Sequence, residues 1–248
     1  MTVFFVILAA FAPVAWLLWT IYSKDSAQPE PTKWLVRAFL YGVGSAFLSL
    51  VISFPMNAVL GQNVDNQTYE SLIVALEDAF LLAAVPEELA KFFMLWLLLR
   101  NNPFFDEHFD GIVYSACIGL GFAGFENVIY LLNGIEDWSW ISIGVTRALF
   151  TVPAHYFFAV LMGYYYSIYH FGIDKSVKTQ IMILAAPILV HGLFDTVLFS
   201  LQVDPSLSWF LLILFIVFFT KLKKRAKNRV NELLKLEENN NTINKIEI

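Results

Sequence analysis

The sequence predicts an all-α, polytopic membrane protein with about seven transmembrane helices and a four-helix core. Of its 248 residues, 58% are hydrophobic and only 15% are charged, whereas soluble domains carry about 25% charged residues to cover their surface. The charges are also unevenly placed, because long stretches contain none. Seven of these stretches approach the length of roughly 20 residues that a helix needs to cross a bilayer.

The seven apolar stretches give the order of the predicted helices. They fall at residues 2–22, 35–60, 72–99, 111–133, 141–169, 179–201 and 207–221. The first has neither the basic leader nor the small-residue cleavage site of a signal peptide, so we expect a retained helix. The last is short, but no polar residue interrupts its centre from 209 to 215.

Four regions follow from this order. Residues 1–71 hold two N-terminal helices with their loops, and residues 72–201 form the four-helix core. Residues 202–221 contain the seventh helix, and residues 222–248 form a tail that is basic at first and then rich in Asn. We expect the tail to form a short helix attracted to anionic lipid headgroups, followed by a frayed end.

Lys and Arg in the loops predict the orientation, because these residues accumulate on the cytoplasmic side. They occur in 23–34, 100–110, 170–178 and the tail, whereas 61–71, 134–140 and 202–206 contain none. Alternation over seven helices then places the N-terminus outside and the C-terminus in the cytoplasm. Apart from the short basic tail nothing supports nucleic-acid binding, and the single Cys117 excludes an internal disulfide framework.

Several ionisable side chains lie inside the predicted helices. Such groups are expensive in a membrane and indicate function. Counted from the cytoplasmic end of each helix, groups on four helices lie roughly 18–24 Å deep, slightly outside the midplane of the bilayer. These groups are Glu87, Glu126, His155, His191 and Asp195. Scattered structural polar residues would not be expected to align at one depth.

The spacing within the helices also favours a shared site. Lys91 follows Glu87 by four residues and Glu88 by three, so either carboxylate can pair with its ammonium while the other faces a cavity. His191 and Asp195 are four residues apart on one face, where both can reach one substrate or water molecule.

This set of residues permits peptide-bond hydrolysis by an activated water. Such a reaction needs a base, donors for the oxyanion and an acid for the leaving amine. Glu87 or Glu88, poised by Lys91, is a candidate base. The further candidates are Asn127, His155 and His191 as donors, Asp195 to orient His191, and Arg147 as a counter-charge for carboxylates near the outer side.

A metal-dependent form of the reaction is a further hypothesis. His155, His191 and one of Glu87, Glu88 or Glu126 would make the three-ligand open site of a catalytic zinc. However, no HExxH motif is present to place two histidines on one helix turn. The predicted cofactor is therefore either none or a divalent metal such as zinc.

The order of these residues resembles the PrsW family of bacterial intramembrane proteases. The matching motifs are Glu87-Glu88-Leu-Ala-Lys91, Phe122-Ala-Gly-Phe-Glu126-Asn127, His155 and His191-Gly-Leu-Phe-Asp195, each on its own helix within 72–201. The resemblance implies a protease of the bacterial cell membrane that makes the site-1 cut in a membrane-anchored anti-sigma factor under envelope stress. It also implies that Glu87 and Glu88 activate the water and that Glu126, His155, His191 and Asp195 complete the site.

Other functions remain open beside this resemblance. The chain departs from the similar CAAX-processing proteases, which have an Arg one position after Lys91, a His at Glu126 and an Asn at Asp195, and these differences argue against a prenyl-protein substrate. A proton-coupled transporter would also use carboxylates and histidines, but the sequence shows neither an inverted repeat nor paired broken helices. The third reading is a non-enzymatic scaffold that holds partner helices through the same polar face.

Overall fold

The computed structural model of the chain describes residues 2–25, 28–60, 69, 71–201, 203 and 208–246. Throughout these ranges the regular elements are helices and none is a strand, which confirms the predicted all-α class. Most of the loops 61–71 and 202–206, on which the orientation partly depends, lie outside the described residues.

The helices follow the predicted order. Their bounds are Thr2–Tyr22 (α1), Thr32–Leu60 (α2), Leu72–Glu77 (α3), Val85–Leu99 (α4), Asp110–Asn133 (α5), Trp140–Thr146 (α6), Val152–His170 (α7), Val177–Ser200 (α8) and Ser208–Ile246 (α9). Two π-helical stretches, Asp78–Ala84 and Arg147–Thr151, join α3 to α4 and α6 to α7 without a break. In the described part of the chain these elements therefore form seven continuous rods, one for each predicted span.

Five of the rods within the described residues are long and apolar enough to cross a membrane. They are Thr2–Tyr22, Thr32–Val59, Asp110–Asn133, Trp140–His170 and Val177–Ser200. The third rod, from α3 through α4, is as long as these but carries the charged side chains of Glu77, Asp78, Glu87, Glu88 and Lys91. It packs against α2 and α8. The protein is thus a polytopic membrane protein.

Helix α5 lies at the centre of the bundle. It packs against α7, α2 and α1, and most of its residues are buried. Its glycines allow the close approach: a Cβ on Gly121 would overlap the backbone of Phe39 and Gly42 in α2, and one on Gly119 would lie 2.6 Å from the Cβ of Ala159 in α7. Small residues at these crossings bring α2, α5 and α7 close together.

Helix α9 differs from the expected short helix and frayed end. It runs without interruption over 39 residues, about 58 Å, so the boundary expected at residue 221 falls inside a helix. No Gly or Pro occurs between its ends to stop it. Beyond residue 236 the structure describes only the backbone of the tail.

Packing against α7 and α8 accounts for the length of α9. A stripe of apolar residues at helical spacing is buried in the main hydrophobic core: Leu222, Ala226, Val230 and Leu233. Beside this stripe, Arg229 donates to the Tyr164 hydroxyl at 2.7 Å, and that hydroxyl donates to Glu232 at 2.6 Å. The tail therefore continues the bundle as far as these contacts reach.

Candidate active site

A π-helical stretch precedes the polar residues on two of the rods. Asp78–Ala84 ends just before α4, whose second residue is Pro86, and Arg147–Thr151 ends just before α7, whose second residue is Pro153. Proline lacks an N–H group, and its ring clashes with the carbonyl four residues earlier. The wider π-helical turn relieves that clash, and such turns are frequent at functional sites.

Lys91 lies at the centre of the polar cluster. Its ammonium donates to Glu88 Oε1 at 2.8 Å and to Glu87 Oε2 at 3.2 Å, so it pairs with both carboxylates and not with one alone. It also lies 3.9 Å from the centroid of the Phe122 ring, a cation–π contact from α5. The two carboxylates differ in exposure, because Glu88 is fully buried whereas 16% of the Glu87 side chain is exposed.

The two histidines each bridge a carboxylate and the centre of the cluster. His155 Nε2 lies 3.0 Å from Glu126 Oε2, and its Nδ1 accepts from the Lys91 ammonium at 3.1 Å. His191 Nε2 lies 3.0 Å from Asp195 Oδ2, and its Nδ1 lies 2.9 Å from Glu88 Oε1. Because Lys91 can only donate, the His155 proton is on Nε2, facing Glu126. The rings of the two histidines are 5.3 Å apart at 86°.

Arg147 connects the cluster to α1 through Asn127. Its Nη2 donates to Glu126 Oε2 at 2.8 Å and its Nε donates to Asn127 Oδ1 at 2.5 Å. The Asn127 amide donates to the carbonyl of Ala10 at 3.1 Å. Both polar groups of the Asn127 side chain are thus hydrogen-bonded, one to Arg147 and one to the carbonyl of Ala10. This geometry does not support the expected role of its amide as an oxyanion donor. It positions Arg147 instead.

The structure joins all the predicted site residues in one continuous set of contacts, which we call the polar network. It consists of Glu87, Glu88, Lys91, Glu126, Asn127, Arg147, His155, His191 and Asp195. Four helices contribute to it, α4, α5, α7 and α8, together with the π-helical stretch that begins at Arg147. These are the helices of the predicted core.

Two aromatic residues beside the polar network were not among the predictions. Phe158 stacks on the His191 ring at 4.6 Å and 21°, and Tyr130 lies under the Arg147 guanidinium at 4.3 Å. Their spacing was the available signal, since Phe158 follows His155 by three residues and Tyr130 follows Glu126 by four, which places each on the same helix face as its polar neighbour.

The donor atoms at the centre fit a metal ion. Glu87, Glu88, His155 and His191 each offer one ligand atom, and the four atoms lie within 4.8 Å of one another. Glu88 Oε2 is buried and has no hydrogen-bond partner. Glu126 and Asp195 hold the Nε2 atoms of the histidines and leave each Nδ1 facing the centre, as carboxylates commonly do for metal-binding histidines. Carboxylate oxygen and imidazole nitrogen are both usual zinc ligands.

Comparisons with known proteins show the family to which the chain belongs. The chain matches, over residues 30–222, a family described as PrsW family intramembrane metalloprotease. It is similar to proteins named Protease PrsW: 35% identical to that of Clostridioides difficile over 87% of both chains, and 35% identical to that of Bacillus subtilis over 80% of this chain and 85% of the relative. The protein of the same name from Geobacillus kaustophilus is 35% identical over 79% of this chain and 81% of the relative. No solved structure matches the chain.

Proposed function

Because the chain belongs to the PrsW family of intramembrane proteases, we propose that the polar network is its active site and cleaves a membrane-anchored protein by means of an activated water. One observation carries this proposal. The side chains of Glu87, Glu126 and Asp195 are 16%, 21% and 14% exposed, whereas the side chains behind them, Glu88 and Lys91, are 0% and 3% exposed. The network therefore has three partly exposed side chains, which we call its rim, and two side chains closed off from water, which we call its floor.

Glu87 is the base in this proposal. It is the more exposed member of the carboxylate pair, so a water molecule can reach it, and Lys91 keeps it in place. The Glu87 carboxylate takes a proton from the water while the water oxygen bonds to the scissile carbonyl carbon. When the tetrahedral intermediate breaks its C–N bond, Glu87 returns the proton to the departing amine nitrogen.

The buried residues position the reacting groups. Glu88 holds Lys91 and His191 at the floor of the network. The Lys91 ammonium is a fixed positive charge beside Glu87, where negative charge develops on the carbonyl oxygen, and such a charge is strongly stabilising in a low-dielectric site. Glu126 and Asp195 orient His155 and His191 from the rim.

We also propose that the central donors hold a divalent metal such as zinc. The Nδ1 atoms of His155 and His191 and the free Oε2 of Glu88 would hold it, which leaves Glu87 as the base. His155 Nδ1 would then give up its hydrogen bond from Lys91, and His191 Nδ1 would give up its contact with Glu88 Oε1. A bound zinc supplies a Lewis acid that polarises the carbonyl and lowers the pKa of a bound water. The support for the metal is the unpartnered Glu88 oxygen and the two oriented imidazoles.

The family resemblance is the basis for the proposed substrate, and the charges of the loops are the basis for the proposed orientation in the membrane. We assign to this chain the site-1 cleavage of a membrane-anchored anti-sigma factor in the bacterial cell membrane. The Lys and Arg pattern favours an outside N-terminus and a cytoplasmic C-terminus. In that orientation the polar network lies in the outer half of the bilayer, which suits a cut on the extracytoplasmic side.

Proteomics of cells that carry single variants tests the proposal. Glu87→Gln and Glu88→Gln keep side-chain size and remove a charge, and we expect each to reduce formation of shortened membrane-protein fragments by a factor of about 10²–10⁴. Glu77→Gln is the matched control, because Glu77 lies on the same rod but is exposed and outside the network. A chelator should suppress the same fragments.

The result that would overturn the proposal is a fragment profile that is identical in wild type, Glu87→Gln and Glu88→Gln, with equal amounts of folded protein in the membrane. Loss of fragments in the Glu77→Gln control as well would also count against it, because the effect would then not come from the polar network. Fragments that persist in chelator would refute the metal and leave the carboxylate mechanism standing.

A further inference from the structure

One aromatic side chain of α7 contacts both histidines of the polar network. The Phe158 ring lies 4.6 Å from that of His191 at 21°, so these two rings are stacked. It lies 5.8 Å from the ring of His155 at 79°, which is an edge contact. Both separations fall in the range of about 4.5–7 Å that aromatic pairs favour. Phe158 is 1% exposed, so these contacts are closed to solvent.

The hydrogen bonds of the two imidazoles do not fix the planes of their rings. Each ring has a polar contact at both nitrogens: Glu126 and Lys91 for His155, and Asp195 and Glu88 for His191. Both contacts survive when a ring rocks about the line through its two nitrogens, and the torsion that turns an imidazole is soft. The lone pair or N–H bond of each nitrogen lies in the ring plane. Rocking therefore turns it away from its partner.

One phenyl ring can fix both planes because the two imidazoles are almost perpendicular, at 86°. Phe158 is nearly parallel to His191 and therefore presents its face to that ring and meets His155 at its edge. Rocking of either imidazole would bring ring atoms into the phenyl ring. An aliphatic side chain has no flat face and would oppose this motion much less.

The surrounding helices hold Phe158 in its turn. Phe194, three residues after His191 on α8, meets the Phe158 ring at 5.8 Å and 76°, so the phenyl ring contacts two side chains of α8. The same part of α8 is packed against the first π-helical stretch, where a Cβ on Gly192 would lie 2.5 Å from the Phe80 ring. The turn of α8 that carries His191 is therefore held by two neighbouring elements.

We propose that Phe158 is a positioning residue of the polar network, and that its ring sets the planes of both imidazoles so that their Nδ1 atoms face the centre. The phenyl ring has no polar atom, so it needs no hydrogen-bond partner in this dry region. Nor does it compete for the donors of Lys91. The effect on catalysis rests on the proposed protease function, whereas the effect on the imidazole planes does not.

Phe158→Leu tests the inference, because it keeps an apolar side chain and removes the flat ring. The first readout is imidazole ¹⁵N NMR of the full-length, metal-free protein in micelles. Wild-type His155 should give two distinct nitrogen signals, because its proton is on Nε2. In Phe158→Leu these signals should average, because a rocking ring loses its contacts and exchanges tautomers. The chain has four histidines, so His155→Gln is sufficient to assign the signals.

The second readout is the formation of membrane-protein fragments in cells. We expect Phe158→Leu to lower it by a factor of about 10–100, the loss that is typical when residues that orient metal-binding histidines are replaced. If Phe158→Leu fails to fold, Phe158→Met takes its place in both experiments, because the flexible methionine side chain fills irregular gaps in a core.

Phe157→Leu is the matched control. Phe157 is the preceding residue of α7 and is 8% exposed in the same hydrophobic core, and its ring contacts Tyr156 and Phe219. Its replacement removes a buried phenyl ring in the same way, so we expect a similar loss of stability. The ¹⁵N signals of His155 and the formation of fragments should stay as in the wild type.

The ¹⁵N comparison decides the inference. Unchanged signals in Phe158→Leu would overturn it, because the ring would then only fill space. Averaged signals in Phe157→Leu as well would also overturn it, because they would indicate a general loosening of the core. Averaged signals in Phe158→Leu alone, with undiminished fragments, would refute the effect on catalysis. If the wild type forms no fragments, the protease proposal fails, and the same ¹⁵N comparison still supports or refutes the role of Phe158.

Discussion

The pairing of Lys91 with Glu88 can be tested by a double-mutant cycle. The ammonium is 3% exposed and lies 2.8 Å from a carboxylate that is 0% exposed, so neither charge has access to water. Replacing one member of a buried ion pair leaves the other uncompensated, at a cost of about 3–5 kcal/mol. Lys91→Met also leaves Glu87 and His155 Nδ1 without their donor, so we expect it at the upper end of that range.

Replacing both members gives a different result. In Lys91→Met/Glu88→Gln no buried charge of the pair remains, so the loss of stability should be smaller than the sum of the two single losses. For groups in direct contact such a coupling energy is about 0.5–3 kcal/mol. The assay is the free energy of unfolding in mixed micelles, measured on metal-free protein so that only the pair is compared.

Proteolytic activity gives the second readout of the same cycle. We expect it to be lost in all three variants, including the double variant that regains stability. Lys91→Met and the double variant lack the positive charge beside Glu87, and Glu88→Gln lacks the carboxylate that holds Lys91 and His191 in place. Additive stability losses in the cycle would refute the direct Lys91–Glu88 pairing. Restored activity in the double variant would refute the role of Lys91 in the reaction.

Three further substitutions test the surroundings of the polar network. Arg147→Lys should lower activity at least tenfold in fragment assays, because a lysine cannot reproduce the two donors that the guanidinium directs at Glu126 and Asn127. Gly119→Ala should destabilise the fold by about 1–3 kcal/mol in micelle unfolding, because its Cβ would lie 2.6 Å from that of Ala159; Gly144→Ala, whose Cβ meets only ordinary contacts, should be neutral or stabilising. Leu233→Ala should lower the free energy of unfolding by about 2–5 kcal/mol in the same assay, because Leu233 is buried in the core. If the tail were frayed, this substitution would cause no change. Leu214→Ala, at an exposed position of α9, is the control.

The sequence alone was enough to locate the helices and to select the polar residues of the candidate site. Apolar runs bounded by polar loops locate helices because the bilayer demands about 20 such residues in succession, and each of the first six predicted spans lies within about three residues of a rod in the structure. The ionisable residues stood out because charge inside such runs is rare. Counting along four helices then placed them at one depth.

The sequence could not predict features that depend on neighbouring helices. Pro86 and Pro153 disturb a helix, but a proline is compatible with a kink as well as with a π-helical turn. The continuity of α9 depends on the core that α7 and α8 offer to Leu222 and Leu233. Asn127 is directed away from the centre by partners on α1 and in the Arg147 stretch, and nothing in the local sequence around it specifies those contacts.

The charge balance of the polar network is the strongest physical reason to expect a divalent ion there. With Glu87, Glu88, Glu126 and Asp195 ionised, the network carries four negative charges, and Lys91 and Arg147 supply two positive ones. With both imidazoles neutral, an excess of two negative charges in a largely dry site is strongly unfavourable. In the metal-free protein a second proton on His191, which has a carboxylate at each ring nitrogen, offsets one of these charges. An ion of charge +2 would replace that proton and bring the ionised network to neutrality with both imidazoles uncharged, whereas a monovalent ion would leave half of the excess. Zinc should therefore raise the Tm of the metal-free wild type more than Na⁺ or K⁺ at any concentration, and Glu88→Gln, which removes both a ligand and one excess charge, should lose most of that rise. An equal rise in Glu88→Gln would show that zinc binds elsewhere and would refute this account of the network.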